Sequence, residues 1–302
     1  MNKHYNTTYA KFNDLDRKVF FPVEEHPVVS EIDNNIVASD KKMLTTDYKY
    51  LSVVGDKYTV IRNEEILIPL QNQMINYFDP MVLEDVQIKD YISRDGCRCL
   101  SEYILPKMKR EVETPKGFRT DIGLRFILKN TFNGSGSIVL YSGAIDFFCT
   151  NGMITGDYDV AKARHSRNFD LDGFISSFTK SIERFDNLVI QYQRWADSKL
   201  TDTVKVQQLF EKLTRTNADE PAKRTNTLSD RLFAQYIDEV QNRGNNVFAL
   251  QSALTHYASH DDERFAIRSN GDDTTLFKRQ EQVRKWMSSN VWNDFLENVT
   301  AS

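Results

Sequence analysis

The stretch IGLRFILKNTFNGSGSIVLYSGAIDFFC, residues 122–149, decides the predicted fold because it has the pattern of one antiparallel β-hairpin. Two runs rich in β-branched and aromatic residues flank the turn sequence NGSG at 133–136, which is typical of hairpins. Alternation puts Arg125 and Lys129 on one face of the first strand. The opposite face is apolar: Ile122, Leu124, Phe126 and Leu128. We therefore expect one core face and one cationic face.

Upstream of this hairpin, the sequence predicts two more hairpins with a helix between them. Asn63 is a suitable cap for a helix over 64–78, which its interior Pro69 should kink or divide. In each hairpin two apolar runs are separated by a short turn that contains glycine: 48–54 with 58–62, and 82–93 with 97–105.

The second half of the chain is predicted to be helical. Apolar residues within 171–196 recur at alternating spacings of four and three, which is the heptad pattern of a helix seam. The seam residues are Leu171, Ile175, Phe178, Ile182, Phe185, Val189, Tyr192 and Ala196. This seam packs inside the chain or binds an identical helix of a neighbouring subunit, and both alternatives are open. Further helices are predicted at 203–214, 229–242, 247–259 and 274–298.

These elements predict an α+β fold, with antiparallel β-hairpins and an intervening helix followed by a helical C-terminal half with one long helix. We divide the chain into an N-terminal extension at 1–47, an α+β hairpin domain at 48–168 and a helical region at 169–302. The helical region is expected to pack on the hairpin domain or to mediate oligomerisation.

Composition excludes several classes of protein. The 302 residues include 39 basic and 43 acidic ones, so a net charge of −4 excludes a uniformly basic nucleic-acid coat. No run approaches the ~18 apolar residues of a membrane helix, and the first residues lack the apolar core of a secretory signal. Three cysteines, Cys97, Cys99 and Cys149, fit a reducing compartment. We expect a cytoplasmic protein that does not contact membranes.

Positive charge is concentrated in two segments. Residues 94–129 hold nine basic and five acidic residues, an excess of four positive charges in a negative chain. Residues 162–167, Lys-Ala-Arg-His-Ser-Arg, hold three permanent cations and a histidine with no acid. Both segments suit phosphate contacts. The alternatives are a solvated connection at 162–167, or ion pairs with nearby acids: Asp157, Asp159 and Asp170. The interleaved aromatic residues are available to stack on bases or to fill the core: Phe118, Phe126, Phe132 and Tyr141.

Other motifs give weaker signals for chemistry. Asp121 and Asp146 fall on adjacent predicted strands, where two carboxylates suit Mg²⁺ in a nuclease, or Asp146 pairs with Arg125. The pair Cys97 and Cys99 lacks the second pair that a zinc site needs. The GSG of the hairpin turn lacks the lysine and helix of a nucleotide loop. We predict no catalytic residue, no metal and no cofactor.

Four passages, taken in order, resemble the phage/plasmid-like protein family catalogued as domain of unknown function 932. They are Tyr58 to Asn63, Leu128 to Ser135, Phe148 to Gly152 with Arg164-His165-Ser166, and Ala253 to Tyr257. The chain departs from the family pattern at Phe248, Ser252 and His256, where the family has Trp, Asn and Glu. The resemblance implies a mobile-element origin and a cytoplasmic, DNA-metabolic context.

We therefore hypothesise a non-catalytic, phage-type single-stranded DNA-binding and annealing protein that acts in recombination or replication. Oligomers would align many cationic grooves and leave bases free to pair with a second strand. The predicted DNA-binding residues are Arg98, Arg125, Lys129, Lys162, Arg164, His165 and Arg167. Two alternatives stay open: a scaffold or host-takeover protein that works through its helical half, and a metal-dependent nuclease. Whether the strand is DNA or RNA is also open.

Overall fold

A computed structural model describes residues 5–30, 32–47, 49–147, 159–215, 227–260 and 275–300. Its antiparallel sheets and helices confirm the predicted α+β class. The strands are β1 (Tyr5–Ala10), β2 (Glu24–Val29), β3 (Ile36–Thr46), β4 (Lys49–Gly55), β5 (Gln87–Ser93), β6 (Arg98–Glu113), β7 (Arg119–Thr131), β8 (Ile138–Asp146) and β9 (Asp159–Ala163). The helices are α1 (Asn63–Tyr77), α2 (Pro80–Leu83), α3 (Leu171–Asp197), α4 (Thr203–Thr214), α5 (Thr227–Arg243), α6 (Val247–His260), α7 (Thr275–Met287) and α8 (Asn290–Thr300).

The strands form two sheets. Six strands lie in the order β1-β5-β6-β7-β8-β9, so that β1 and β9 are the edges, and β2, β3 and β4 form a separate three-stranded sheet. The hairpin predicted from residues 122–149 is present as β7 and β8, neighbours in the larger sheet. Residues 5–47, predicted as an extension, contribute β1 to the larger sheet and β2 and β3 to the smaller one. None of the helices within the described ranges is both long and apolar enough to cross a bilayer.

The chain divides into two compact units. The first takes residues 1–108, 124–142 and 159–183, and the second takes 109–123, 143–158 and 184–302. Strands β6, β7 and β8 and helix α3 have residues in both units. The predicted boundary between 168 and 169 therefore falls inside the first unit.

Helix α1 begins at Asn63, one residue before the predicted start, and continues through Pro69 without a break. The side chain of Asn63 does not cap the helix. It is buried, donates to the Val19 carbonyl at 2.8 Å and accepts from Asn130 at 3.0 Å. The hairpin predicted at 48–62 is wrong, because β4 pairs with β3 and residues 58–62 form no strand.

The heptad seam of α3 packs inside the chain. From Ile175 to Ala196 every seam residue is at most 8% exposed. In the first unit the Phe178 ring lies 4.6 Å from that of Phe126 on β7. In the second unit the Tyr192 ring lies 5.9 Å from that of Phe248 on α6. The seam therefore offers no surface to a second copy of the helix, and the intrachain alternative is confirmed.

The helix predicted at 274–298 is divided at Ser288 and Ser289 into α7 and α8. The Ser289 hydroxyl donates to the Trp286 carbonyl and its amide nitrogen does the same, so the chain turns there. Trp292 is buried on α8, with its ring 6.2 Å from that of Trp195 on α3. The two C-terminal tryptophans therefore belong to the core of the second unit.

A buried ion pair ties the N-terminal segment to the larger sheet. The Arg17 guanidinium donates to both Asp90 carboxylate oxygens, at 2.5 and 2.8 Å, and to the Tyr103 hydroxyl at 2.6 Å. Both charged side chains are fully buried. Each charge compensates for the lost hydration of the other, so neither is expendable alone.

We predict that Arg17→Met lowers the free energy of unfolding by about 3–5 kcal/mol, because it leaves the Asp90 carboxylate buried without a counterion. Urea unfolding followed by far-UV circular dichroism measures this loss. The matched control is Lys18→Met, since Lys18 is exposed. Similar midpoints for the two variants would show that the pair is not essential.

Candidate nucleic-acid interface

Most cations of the segment 94–129 are neutralised by carboxylates, which contradicts the predicted continuous cationic groove. Five of its nine basic residues form ion pairs with described acids: Lys107 with Glu84 and Asp85, Lys109 with Asp121, Arg110 with Asp186, Arg119 with Glu111 and Glu113, and Arg125 with Glu102. An excess of charge along the sequence therefore does not become an excess of unpaired cations on one surface, because acids of the same segment, such as Glu102, and of other segments, such as Asp186, pair with these side chains.

The exposed cationic face predicted for β7 is also absent at Arg125. This residue is 8% exposed, and its Nε donates to Glu102 on the neighbouring β6 at 2.5 Å. Burial alone would raise the pKa of Glu102, but the Arg125 charge and the Tyr91 hydroxyl lower it below its usual value. The other two predicted residues of this region, Arg98 and Lys129, are half-buried. Both faces of β7 are thus covered, which alternation alone does not reveal.

The aromatic residues interleaved in this region belong mainly to the core. Phe126 and Phe132 are fully buried. Phe118 is half-buried, with the Arg243 guanidinium 4.9 Å from its ring centroid. We therefore do not assign base stacking to these rings.

The acids proposed for a nuclease are held by cations. Asp146 is buried and accepts from Arg243 at 2.6 Å and from the Thr120 hydroxyl, and Asp121 accepts from Lys109. Arg125 is not the partner of Asp146. Among the described residues, no group of three His, Cys, Asp or Glu side chains is placed to hold a metal ion.

The two cysteines at the start of β6 are buried thiols. Burial raises the pKa of Cys97 to about 11 and that of Cys99 to about 12. The thiolate form that binds zinc is therefore disfavoured at both positions. Cys149 lies outside the described residues.

The segment 162–167, by contrast, presents its cations to solvent. Lys162 is the next-to-last residue of β9, and Arg164 and Arg167 lie in the connection to α3; all three are exposed. None of the three forms an ion pair with a described side chain. The acid considered as a partner, Asp170, instead accepts from the Gly173 amide of α3 at 2.9 Å. Asp157 lies outside the described residues.

A cavity of about 380 Å³ lies beside these cations. Its lining includes hydrogen-bond donors, two aromatic rings and one carboxylate: Lys162, Arg164, Ser166, Asn168, Phe169, Phe174 and Asp170. The volume falls within the range of small-ligand pockets, roughly 300–1,000 Å³. The first amides of α3 add partial positive charge nearby, although Asp170 satisfies one of them. The site thus combines permanent cations with donors and one partly exposed ring.

His165 is part of the support of this site and is not exposed to a ligand. Its ring stacks on Tyr58 with centroids 4.6 Å apart, and its Nδ1 lies 3.3 Å from the Thr59 carbonyl oxygen. Burial lowers the pKa of His165 to about 4, against a smaller opposing effect of the hydrogen bond to Thr59. The ring is therefore neutral near pH 7. The predicted role of His165 as a donor or stacking ring for nucleic acid is not supported by this placement.

Three of the four passages quoted for the family resemblance contact one another around the stacked rings of Tyr58 and His165. The Tyr58 hydroxyl donates to the Thr131 carbonyl at 2.7 Å, and the Asn130 amide donates to the Ile61 carbonyl at 2.9 Å. The passage 58–63 is thereby joined to 128–135 and, through the Tyr58–His165 stack, to 164–166. The passage 148–152 lies outside the described residues, and 253–257 lies on α6 in the second unit.

Residues 50–285 match the family model described as Domain of unknown function (DUF932). The chain belongs to this family. No curated protein and no solved structure matches it. The sequence analysis did not name Ser166, Asn168 and Phe169 of this DUF932 chain as site residues. The short polar connection between a predicted strand and the long predicted helix could have indicated them, because such connections often line binding sites. The sequence analysis also did not predict the contact between Tyr58 and His165, although both residues lie in passages that resemble the family.

Because the folded state lowers the pKa of His165, acid should destabilise it through this residue. His165 takes up a proton near pH 6.5 in the unfolded chain and only near pH 4 in the folded one. The contribution of neutral His165 to the free energy of unfolding is therefore fully present above pH 6.5 and is lost as the pH falls from 6.5 to 4. We predict that His165→Phe, which keeps an aromatic ring, reduces this acid-induced loss by about 2–3 kcal/mol.

The measurement is urea unfolding at steps between pH 7.5 and pH 4. Tyr58→Phe serves as the control, because it keeps both the stacked rings and the titrating imidazole. Parallel curves for the wild type and His165→Phe would show that His165 is protonated equally in the folded and unfolded chains.

Proposed function

We propose that this DUF932 chain is a phage-type single-stranded DNA-binding and annealing protein that acts in recombination or replication without catalysis. One observation supports the proposal most: three exposed cations within six residues, none in an ion pair with a described side chain, stand beside a cavity in a chain of net charge −4. A polyanion gains most where exposed cations are not already paired with a carboxylate, because each phosphate contact then releases a counterion from the nucleic acid. Asp170 also lines the cavity, and it accepts from the Gly173 amide.

The chemistry of the site suits a phosphodiester backbone. Arg164 and Arg167 offer planar donor pairs that match phosphate oxygens, and Lys162 adds a compact charge. Ser166 and Asn168 add neutral donors at the cavity, and the half-exposed Phe169 ring offers a surface for one base. Contacts of this kind hold the backbone and leave most base edges free, which is what annealing to a second strand requires.

The small size of the cationic surface favours a single strand over a duplex. A duplex presents phosphates on two strands and needs a wide basic surface, whereas a flexible single strand can follow a short segment beside a cavity. The acidic remainder of the chain repels a wide polyanion. Self-association, which would align such sites, belongs to the same proposal, but it cannot use the buried seam of α3.

We predict that Lys162→Gln/Arg164→Gln/Arg167→Gln abolishes most of the affinity for an oligothymidylate at low salt. Fluorescence anisotropy with a labelled strand between 25 and 300 mM salt measures it. The slope of log Kd against log salt should fall by about 2, from about 0.7 for each lost phosphate contact. The effect should be similar for other sequences, since backbone contacts carry no sequence information.

The matched control removes three other exposed cations of the first unit, Lys11→Gln/Lys18→Gln/Lys49→Gln, and so changes net charge equally. It should keep the slope and at least half of the affinity. A labelled oligouridylate in the same series compares RNA with DNA. Equal losses in the two triple variants would reduce the binding to net charge alone, and no binding by the wild type at 25 mM salt would exclude the proposal.

A further inference from the structure

The hairpin of β2 and β3 extends beyond the third strand of its sheet. Pairing of β3 with β4 stops at Lys41 opposite Gly55, so β2 is the only described strand that lies beside residues 36–40 of β3. The β2–β3 register is interrupted between Pro27 and Val28, at the base of this extension. We name residues 28–40 the arm; residue 31 lies outside the described residues.

The arm exposes apolar side chains on an ordered turn. Ile32 is 96% exposed, Ile36 and Val37 are each 62% exposed, and Val29 is 42% exposed. The Ser30 amide donates to the Asn35 carbonyl at 2.8 Å, and Asn35 donates to the Asp33 carboxylate at 2.7 Å. These hydrogen bonds hold Ser30, Asp33 and Asn35 in place, so burial of the neighbouring apolar side chains on a partner requires little further ordering of these residues.

Charge decides which class of partner fits the arm. Residues 28–40 include three acids, Glu31, Asp33 and Asp40, and no lysine or arginine. The acidic arm repels both nucleic acid and anionic lipid, although its exposed aliphatic side chains would otherwise suit a lipid surface. A protein surface that combines cations with apolar groups is complementary to it.

The same chain carries such a surface at the cationic pocket. Lys162 and Arg164 line the pocket together with apolar groups of Ala161, Phe169 and Phe174, and the Asp170 carboxylate in the same lining accepts from the Gly173 amide. Strand β9 pairs only with β8 among the described strands, and an edge strand of this kind is a site to which an extended segment can add. Both the arm and the pocket are exposed to solvent in a single chain, so the arm does not occupy the pocket of its own chain. A second copy of the chain can therefore supply the arm that docks there.

We propose that the arm of one copy docks in the cationic pocket of a second copy and competes there with single-stranded nucleic acid. Asp33 and Asp40 would face Lys162 and Arg164, and the aliphatic tip would cover the apolar wall. The two surfaces differ, so the contact is heterologous and builds head-to-tail rings or filaments. The docking stands by itself, whereas the competition rests on the proposed function.

A complementation experiment tests the docking. Light scattering on the full chain at 50 mM salt compares an arm variant, Ile32→Ser/Ile36→Ser/Val37→Ser, with the pocket variant Lys162→Gln/Arg164→Gln/Arg167→Gln. We expect wild-type assemblies larger than a dimer and each variant alone to be monomeric. An equimolar mixture should form heterodimers, because one variant keeps the pocket and the other keeps the arm.

A control variant, Ile190→Ser/Val204→Ser/Ile237→Ser, removes three exposed apolar residues outside the arm and should assemble as the wild type does. Variants that still assemble alone, a mixture that stays monomeric, or a monomeric wild type at 100 μM would overturn the docking. Circular dichroism and urea midpoints matched to the wild type ensure that each variant is folded.

Anisotropy with an oligothymidylate tests the competition separately. At a wild-type concentration of ~10 times the dissociation constant of the arm–pocket contact, the apparent Kd of the wild type for the strand should be about tenfold weaker than that of the arm variant. A short strand should also return wild-type assemblies to monomers. Equal affinities, or assemblies that persist on a saturating strand, would overturn the competition. Intact complementation without any strand binding would refute the proposed function and leave the docking standing.

Discussion

Two buried amides hold the first unit together at the point on which the candidate interface depends. Asn130 on β7 donates to Asn63 at the start of α1 and to the Ile61 carbonyl, while Asn63 donates to the Val19 carbonyl. Both amides are almost fully buried, so loss of either partner would leave polar groups without hydrogen bonds at a cost of about 1–3 kcal/mol each. Residues 58–62 lead from β4 into α1 and carry Tyr58, on which His165 stacks. The cationic connection after β9 is thus held by side chains whose own positions are fixed.

The distribution of charge explains why one short segment keeps exposed cations. The chain has four more acids than bases, and five of the nine basic residues of the segment 94–129 pair with an acid from within that segment or from elsewhere in the chain. Among the described side chains no acid pairs with the cations of 162–167, and Asp170 accepts instead from the Gly173 amide at the start of α3. An acidic protein can therefore keep a cationic site where local acids have another structural role.

The helices and the main hairpin were predictable because their patterns are local. The seam of α3 and the bounds of α4 follow from apolar spacing, and the turn at 133–136 follows from its glycines. Strands β1 to β3 were not predicted, since polar and charged residues interrupt their apolar pattern. The path of 58–62 depends on the side chain of Asn130, more than sixty residues away, which no local pattern reveals.

For the candidate site, charge density predicted the segment 162–167 but misjudged the segment 94–129. A count of charges records neither burial nor partners, and Arg125 shows the consequence. The burial of His165 against Tyr58 likewise depends on a contact between residues more than a hundred positions apart. Residue types thus indicated where cations are dense, and only the fold shows which of these cations pair with described acids.

Hydrogen–deuterium exchange of the full chain, with and without a saturating oligothymidylate, measures whether a single strand binds at the cationic pocket. We expect the strand to slow exchange of the amides within 161–174, around this pocket, and to leave those of β7 at 119–131 unchanged. Unchanged exchange at 161–174 in the saturated complex, with new protection confined to other segments, would contradict this expectation.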